Sequence, residues 1–144
     1  MAGRRELGDV MLERWMPPVD DLTAFFWHAG AEGQLRMLRC SGCGYITHPP
    51  GPRCANCLGC NLTPDDMCGT GRVVTFTVNY QEWVPGQPPY IIAIVELDDQ
   101  PGLRYETNLV GVDGDDVHID MPVRVVFEEG SDGVWLPLFT PAAG

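Results

Sequence analysis

Two C-x-x-C turns ten residues apart, Cys40-Ser-Gly-Cys43 and Cys54-Ala-Asn-Cys57, restrict the folds open to this chain more than any other feature. Such a turn lets two sulfurs converge at about 2.3 Å on one zinc ion, and a second turn closes the tetrahedron with no open position. A closed site holds structure together and leaves no place for a substrate. The flanking residues read as a zinc ribbon: Gln34-Leu35-Arg36-Met37-Leu38-Arg39 alternates into Cys40, and Tyr45-Ile46-Thr47 returns as its hairpin partner. His48-Pro49-Pro50-Gly51-Pro52 then forces an extended connection, because proline supplies no ladder donor. Cys57-Leu-Gly-Cys60 overlaps the second turn, so spacing leaves a second ligand set open: Cys40, Cys43, Cys57 and Cys60. Four thiolates also suit an iron–sulfur cluster. Cys68, beside Gly69, reads as a small buried hydrophobe, and as a nucleophile it lacks an obvious base. His48 reads as a hydrogen-bonded loop residue, with a spare metal ligand as the alternative.

Beyond Gly69-Thr70-Gly71 the pattern becomes strand-like. Val73-Val74-Thr75-Phe76-Thr77-Val78 alternates faces, and further strands are expected at 90 to 97, 104 to 110, 117 to 119, 122 to 128 and 134 to 139. About five short strands with few helical signals fit a small closed or partly closed barrel such as an OB-fold. His118 is expected on a strand face. Asp98-Asp99, Asp115-Asp116 and Glu128-Glu129 read as solvated carboxylates at turns and strand ends. On the N-terminal side, residues 5 to 15 read as a weak helix interrupted by Gly8 and stopped by Met16-Pro17-Pro18. Asp20 or Asp21 offers an N-cap to a short amphipathic helix over 21 to 31, with Leu22, Phe25, Phe26 and Ala29 at helical spacing. The expected organisation is a helical arm over 1 to 33, a ribbon over 34 to 68 and a barrel over 69 to 144.

Charge and composition exclude several classes of function. The 144 residues carry 20 carboxylates against nine basic residues, all Arg, for a net charge of −11. Residues 1 to 60 balance six acids with six Arg, whereas residues 61 to 144 hold fourteen acids and three Arg. An acidic barrel repels a phosphate backbone, which speaks against the OB-fold's alternative use as a single-strand nucleic-acid module. No apolar run approaches the ~18 residues of a membrane span, and the N-terminus lacks a signal-peptide core. A cytoplasmic location is therefore expected, where six Cys serve as ligands or thiols rather than disulfides. Two Ser and three His form none of the familiar hydrolase or metalloprotease motifs, and no catalytic residue is assigned. One loop stands out for recognition: Gln81-Glu82-Trp83-Val84-Pro85-Gly86-Gln87-Pro88-Pro89-Tyr90, whose Trp83 and Tyr90 sit on a proline-stiffened connection. Phe26 and Trp27 are read first as packing on the barrel and second as a contact for a partner or its ligand.

Taken in order, Phe26-Trp27, Gly33-Gln34-Leu35, Arg39-Cys40-Ser-Gly-Cys43-Gly, His48-Pro49-Pro50, Cys54-Ala-Asn-Cys57, Gly69-Thr70-Gly71-Arg72-Val73, Pro89-Tyr90, Val95-Glu96-Leu97, Met121-Pro122-Val123 and Leu136-Pro137-Leu138-Phe139 form a pattern. It resembles the acyl-CoA-associated family that joins a rubredoxin-like zinc ribbon to an OB-fold, over roughly residues 20 to 140. The resemblance implies an accessory protein that binds a thiolase-fold enzyme, a thiolase or a retro-aldolase, whose acyl-CoA site it shapes or completes. Relatives of this kind occur as separate subunits or fused behind a hot-dog hydratase domain, as in steroid side-chain degradation. It further implies structural Zn2+ on Cys40, Cys43, Cys54 and Cys57, and acyl-CoA shared with the partner. Two positions depart from the pattern: the Trp usual between the second cysteine turn and the Gly-rich stretch is missing from Asn61 to Cys68, and the usual Gly before Met-Pro-Val is Asp120.

Overall fold

The computed structural model describes residues 4–7 and 10–142. Residues 1–3, 8–9 and 143–144 lie outside it, and 8–9, with Gly8, fall within the helix expected over 5 to 15. Arg4–Leu7 (β1) and Val10–Glu13 (β2) pair as antiparallel strands, with Leu7 opposite Val10. This corrects the helix expected over 5 to 15. Gly8 costs a helix about 1 kcal/mol relative to Ala, and here the pairing of the two flanking runs prevails over helix formation.

The second N-terminal helix is present but short. Asp20 Oδ1 accepts the backbone N–H groups of Leu22 at 3.0 Å and Thr23 at 2.9 Å, which organises the chain ahead of Ala24–His28 (α1). A 3-10 turn, Ala29–Glu32, continues it until Gly33 stops it in the left-handed region at φ 71°. Phe26 and Ala29 are buried against the barrel, whereas Leu22, expected on the same face, is exposed. Gly30 marks the closest approach: a Cβ there would clash with Trp135 and lie 2.7 Å from the Phe127 ring.

Arg36–Cys40 (β3) is the central strand of a three-stranded sheet, between Ile46–Thr47 (β4) and Leu62–Asp66 (β5). The alternation pattern does not reveal β5, because Leu62-Thr-Pro-Asp-Asp has one apolar residue and a proline. It is an edge strand, where a missing N–H is tolerated; the ladder with β3, from Arg36 opposite Asp66 to Cys40 opposite Leu62, holds it, and two ion pairs flank that ladder. Arg36 Nε lies 2.6 Å from Asp66, and Arg39 Nε lies 2.7 Å from Asp65.

Five strands then close a barrel: Thr70–Asn79 (β6), Tyr90–Leu97 (β7), Arg104–Leu109 (β8), Pro122–Glu129 (β9) and Trp135–Pro141 (β10), in the order β10-β8-β7-β6-β9. A register shift between Val73 and Thr75 bends β6, so that its start pairs with β9 while most of its length pairs with β7. Strand β7 alternates half-buried and buried residues throughout, sending Ile91, Ala93, Val95 and Leu97 inward. This is the five-stranded OB-fold barrel.

Residues 117 to 119 do not form the expected strand. A 3-10 turn over Gly114–Asp116 leads to Val117, which is buried, and to His118, which is exposed on irregular backbone rather than on a strand face. Asp120 occupies the left-handed region at φ 66°, which explains why a glycine suits this position. Its carboxylate pairs with Arg72. Helix, ribbon and barrel share one apolar core: Phe26, Leu35, Met37, Ile46 and Met67 pack with barrel residues such as Val73, Val95 and Phe139.

Candidate metal centre and the cleft beside it

The first cysteine turn joins β3 to β4, and the second follows the proline-rich bend. Their folding brings Cys40, Cys43, Cys54 and Cys57 together with all four Sγ atoms within 4.8 Å of one another. Cys40 and Cys57 stand 3.7 Å apart, and Cys43 and Cys54 3.6 Å. A zinc tetrahedron with bonds of about 2.3 Å has sulfur–sulfur edges of about 3.8 Å, so the four sulfurs already form a cage of the right size. Cys60 lies outside this cluster, on an exposed turn.

The surrounding backbone tunes the cage. The N–H groups of Asn56 and Gly59 point at Cys54 and Cys57, each at 3.4 Å, and the Asn56 amide points at Cys43 at 3.6 Å. Donation from the Cys57 N–H, with Asn56, pulls the Cys54 thiol down to about 6. The Tyr45 N–H and the Asn56 amide lower Cys43 in the same sense. Against the pull of the Gly59 N–H, the sulfurs of Cys40 and Cys43 push Cys57 up to about 11. Four crowded sulfurs cannot all become thiolates unless a cation sits among them, which is the chemistry of a zinc ligand set. Cys40 and Cys54 are buried, while Cys43 and Cys57 face outward.

Besides the shared apolar core, contacts of Gln100 and His48 tie this centre to the barrel. Gln100, in the turn between β7 and β8, accepts the Ile46 N–H at 2.9 Å and donates to the Ile46 carbonyl at 3.0 Å. Its carboxamide thereby behaves as one residue of an extra strand along the outer edge of β4. His48 packs its ring against Phe26 at 4.9 Å and Tyr105 at 5.5 Å. Burial there drives the His48 pKa down to about 4 and raises that of Tyr105. His48 is thus an aromatic wedge between ribbon and barrel.

Tyr105 also lines a cleft, a depression of about 490 Å³. It lies where β8 and β10 close the barrel through a single parallel pair, Phe139 with Leu109. Below that point the strands separate, and the Thr107 hydroxyl donates across the gap to the Pro137 carbonyl at 3.2 Å. Trp27, Tyr90 and Tyr105 supply aromatic walls, and Trp15, 91% exposed, stands at the rim. Arg14 reaches in from the N-terminal arm, with Nε 2.7 Å from Glu128 and NH1 2.6 Å from Asn108. Glu128 is therefore a buried partner of Arg14 and not a solvated carboxylate, a pairing across more than a hundred residues that local sequence does not reveal.

Of the aromatics singled out from sequence, Trp27 and Tyr90 meet at this cleft. Phe26 is 3% exposed, turned into the shared core, and has no surface to offer a partner. Trp83 is exposed; its indole N–H reaches Asn79 at 3.3 Å, while its neighbour Val84 lines the cleft. Arg14, Trp15, Tyr105 and Glu106 are cleft residues that sequence reading passes over, because segments far apart in the chain, the arm before α1 and strand β8, bring them together. Cys68 is exposed rather than buried: Met67 takes the inward position, and the Cys68 thiol donates to Asp99 at 3.1 Å.

A four-sulfur ribbon sharing a core with an OB-fold barrel defines a zinc-ribbon/OB-fold protein. Residues 27–63 match the family described as ChsH2, rubredoxin-like zinc ribbon domain, and residues 65–128 match ChsH2, C-terminal OB-fold domain. The chain belongs to this ChsH2 (DUF35) family. A "probable enoyl-CoA hydratase alpha subunit" of Thermomonospora curvata is 35% identical over 127 residues, which is 88% of this chain. The chain spans only 39% of that relative's length. A "DUF35 domain-containing scaffold protein" of Methanocaldococcus jannaschii is 34% identical over 104 residues, 67% of this chain and 72% of the relative. Among solved structures, a chain of an "Ltp2-ChsH2(DUF35) aldolase" superposes with TM-score 0.79 at 35% identity, covering 89% of this chain and 100% of the other. A DUF35 protein of Sulfolobus solfataricus shares the fold at 16% identity and TM-score 0.58, with 85% and 86% covered. No helix among the described residues is long and apolar enough to cross a membrane.

Proposed function

We propose that this chain is the non-catalytic accessory subunit of a thiolase-fold enzyme, a thiolase or retro-aldolase acting on acyl-CoA thioesters in the breakdown of a steroid side chain or another lipid. Cys40, Cys43, Cys54 and Cys57 would hold one structural Zn2+, whose role is to fix the ribbon, over about 34 to 68, against the barrel that follows. The partner carries the reacting groups, and the acyl-CoA belongs to the site of the complex. The observation that carries the reading is the pairing of a closed four-sulfur cage with an OB-fold barrel, in a chain similar along its length to the DUF35 component of an aldolase complex. The acidic barrel favours a protein partner in the cytoplasm over nucleic acid.

Co-expression with a thiolase-fold protein tests the proposal. A stable complex is expected, together with acyl-CoA cleavage by the complex that exceeds that of the partner alone. Absence of a complex, with partner activity the same whether or not this chain is added, would sink the idea. Turnover of an acyl-CoA by this chain alone, lost in Cys68→Ser, would replace it with an independent enzyme.

A further inference from the structure

The cleft between β8 and β10 has a definite electrostatic character. Its walls present Trp15, Trp27, Tyr90 and Tyr105, and aromatic faces carry negative potential. Among the described residues the cation in its lining is Arg14, which is engaged with Glu128 and Asn108. Glu106, by contrast, is exposed on the cleft wall, and among the described residues its carboxylate has no cation within ion-pair distance. Elsewhere on the barrel, Arg72 and Arg104 pair with Glu96, and Arg72 also with Asp120. The cleft therefore lies on a molecule of net charge −11 with an unanswered carboxylate beside π-faces.

We propose that this cleft is the receptor for a cationic side chain, an arginine, presented by the surface of the partner protein. The inference rests on the accessory-subunit reading for the identity of the partner, but not for the chemistry of the cleft. A planar guanidinium stacks on Trp and Tyr faces and still reaches a carboxylate with its edge, which a compact ammonium does less well. Arginine and aromatic groups are also the side chains that most often anchor protein interfaces. A neutral acyl chain would fill the space and leave Glu106 unanswered. A CoA phosphate would meet the Glu106 carboxylate, and the described cation of the lining, Arg14, already holds Glu128 and Asn108.

The test uses the whole chain, zinc-loaded, and N-acetyl-arginine methylamide as probe, with N-acetyl-norleucine methylamide as the neutral comparison. The four tryptophan indole N–H resonances report by NMR. The arginine probe is expected to shift the Trp15 and Trp27 signals in a saturable, salt-sensitive way, leaving Trp83 still. The norleucine probe should bind at least about threefold more weakly. Glu106→Gln and Trp15→Leu, both at exposed positions that leave the fold intact, should each weaken the arginine probe by about twofold to fivefold. Equal binding of both probes, silent Trp15 and Trp27 signals, or an unchanged affinity in Glu106→Gln would each overturn the proposal. If the probe binds but no complex forms with a thiolase-fold enzyme, the accessory reading fails and the cleft assignment stands. A complex that forms equally well with Glu106→Gln and Trp15→Leu gives the converse result.

Discussion

Replacing Gln100 by Ala should loosen the ribbon from the barrel without touching a metal ligand. The side chain makes two hydrogen bonds to Ile46, one to its N–H and one to its carbonyl. Each contributes about 1 kcal/mol net, and a partly buried Ile46 N–H left without an acceptor costs about 1–3 kcal/mol more where water does not reach it. The loss should therefore be about 2 kcal/mol where water reaches the N–H and up to about 5 kcal/mol where it does not, roughly 5–20 °C in Tm for a chain of this size. Urea unfolding of zinc-loaded wild type and Gln100→Ala measures it directly, and chelator-driven zinc release, followed with a chromogenic chelator, reports the ribbon separately. Faster release is expected in the variant, because β4 carries the hairpin that ends the first cysteine turn. Gln100→Glu sharpens the argument: it keeps an acceptor for the Ile46 N–H but sets a second oxygen against the Ile46 carbonyl, so it should be no better than Ala. A change below about 0.5 kcal/mol, with zinc release at the wild-type rate, would refute the reasoning and make the ribbon self-sufficient.

Three further outcomes follow from the same geometry. Cys40→Ser or Cys54→Ser, at the buried corners of the cage, should abolish stoichiometric zinc, whereas Cys60→Ser and Cys68→Ser should retain one zinc per chain by metal analysis. Burial holds His48 at about 4 against an ordinary 6.5. Above pH 6.5 it is neutral folded and unfolded; between 6.5 and about 4 the unfolded chain takes up a proton that the folded chain refuses. Stability should then fall as pH falls, by up to about 3 kcal/mol, and level off below pH 4; urea midpoints of His48→Phe should lack this component between those limits. Asp120→Ala keeps the left-handed strain and loses the Arg72 pair, so it should cost about 1 kcal/mol by thermal unfolding. Asp120→Gly should be close to neutral, relief of strain offsetting the lost ion pair.

The sequence alone determined those parts of this protein that depend on near neighbours. Two C-x-x-C turns fix the ribbon because each pair of sulfurs is positioned by three consecutive peptide units. Alternation at 73 to 78 and 90 to 97 fixes strands because side-chain direction has a period of two. The same local logic misleads over 5 to 15 and 117 to 119, where pairing partners and turns outweigh the run of apolar residues. It misses β5, an edge strand held by its ladder with β3 rather than marked by an apolar pattern of its own.

Tertiary structure decided the rest, because each remaining feature joins residues far apart in the chain. Spacing leaves Cys60 as an alternative to Cys54; the folded ribbon gathers the sulfurs of Cys54 and Cys57 with those of Cys40 and Cys43. Gln100 binds an edge formed more than fifty residues earlier. Arg14 neutralises Glu128. The cleft exists because β8 and β10, separated in sequence, meet at one residue pair and then part. No local pattern encodes that gap: it is left when five twisted strands close around a core of this size.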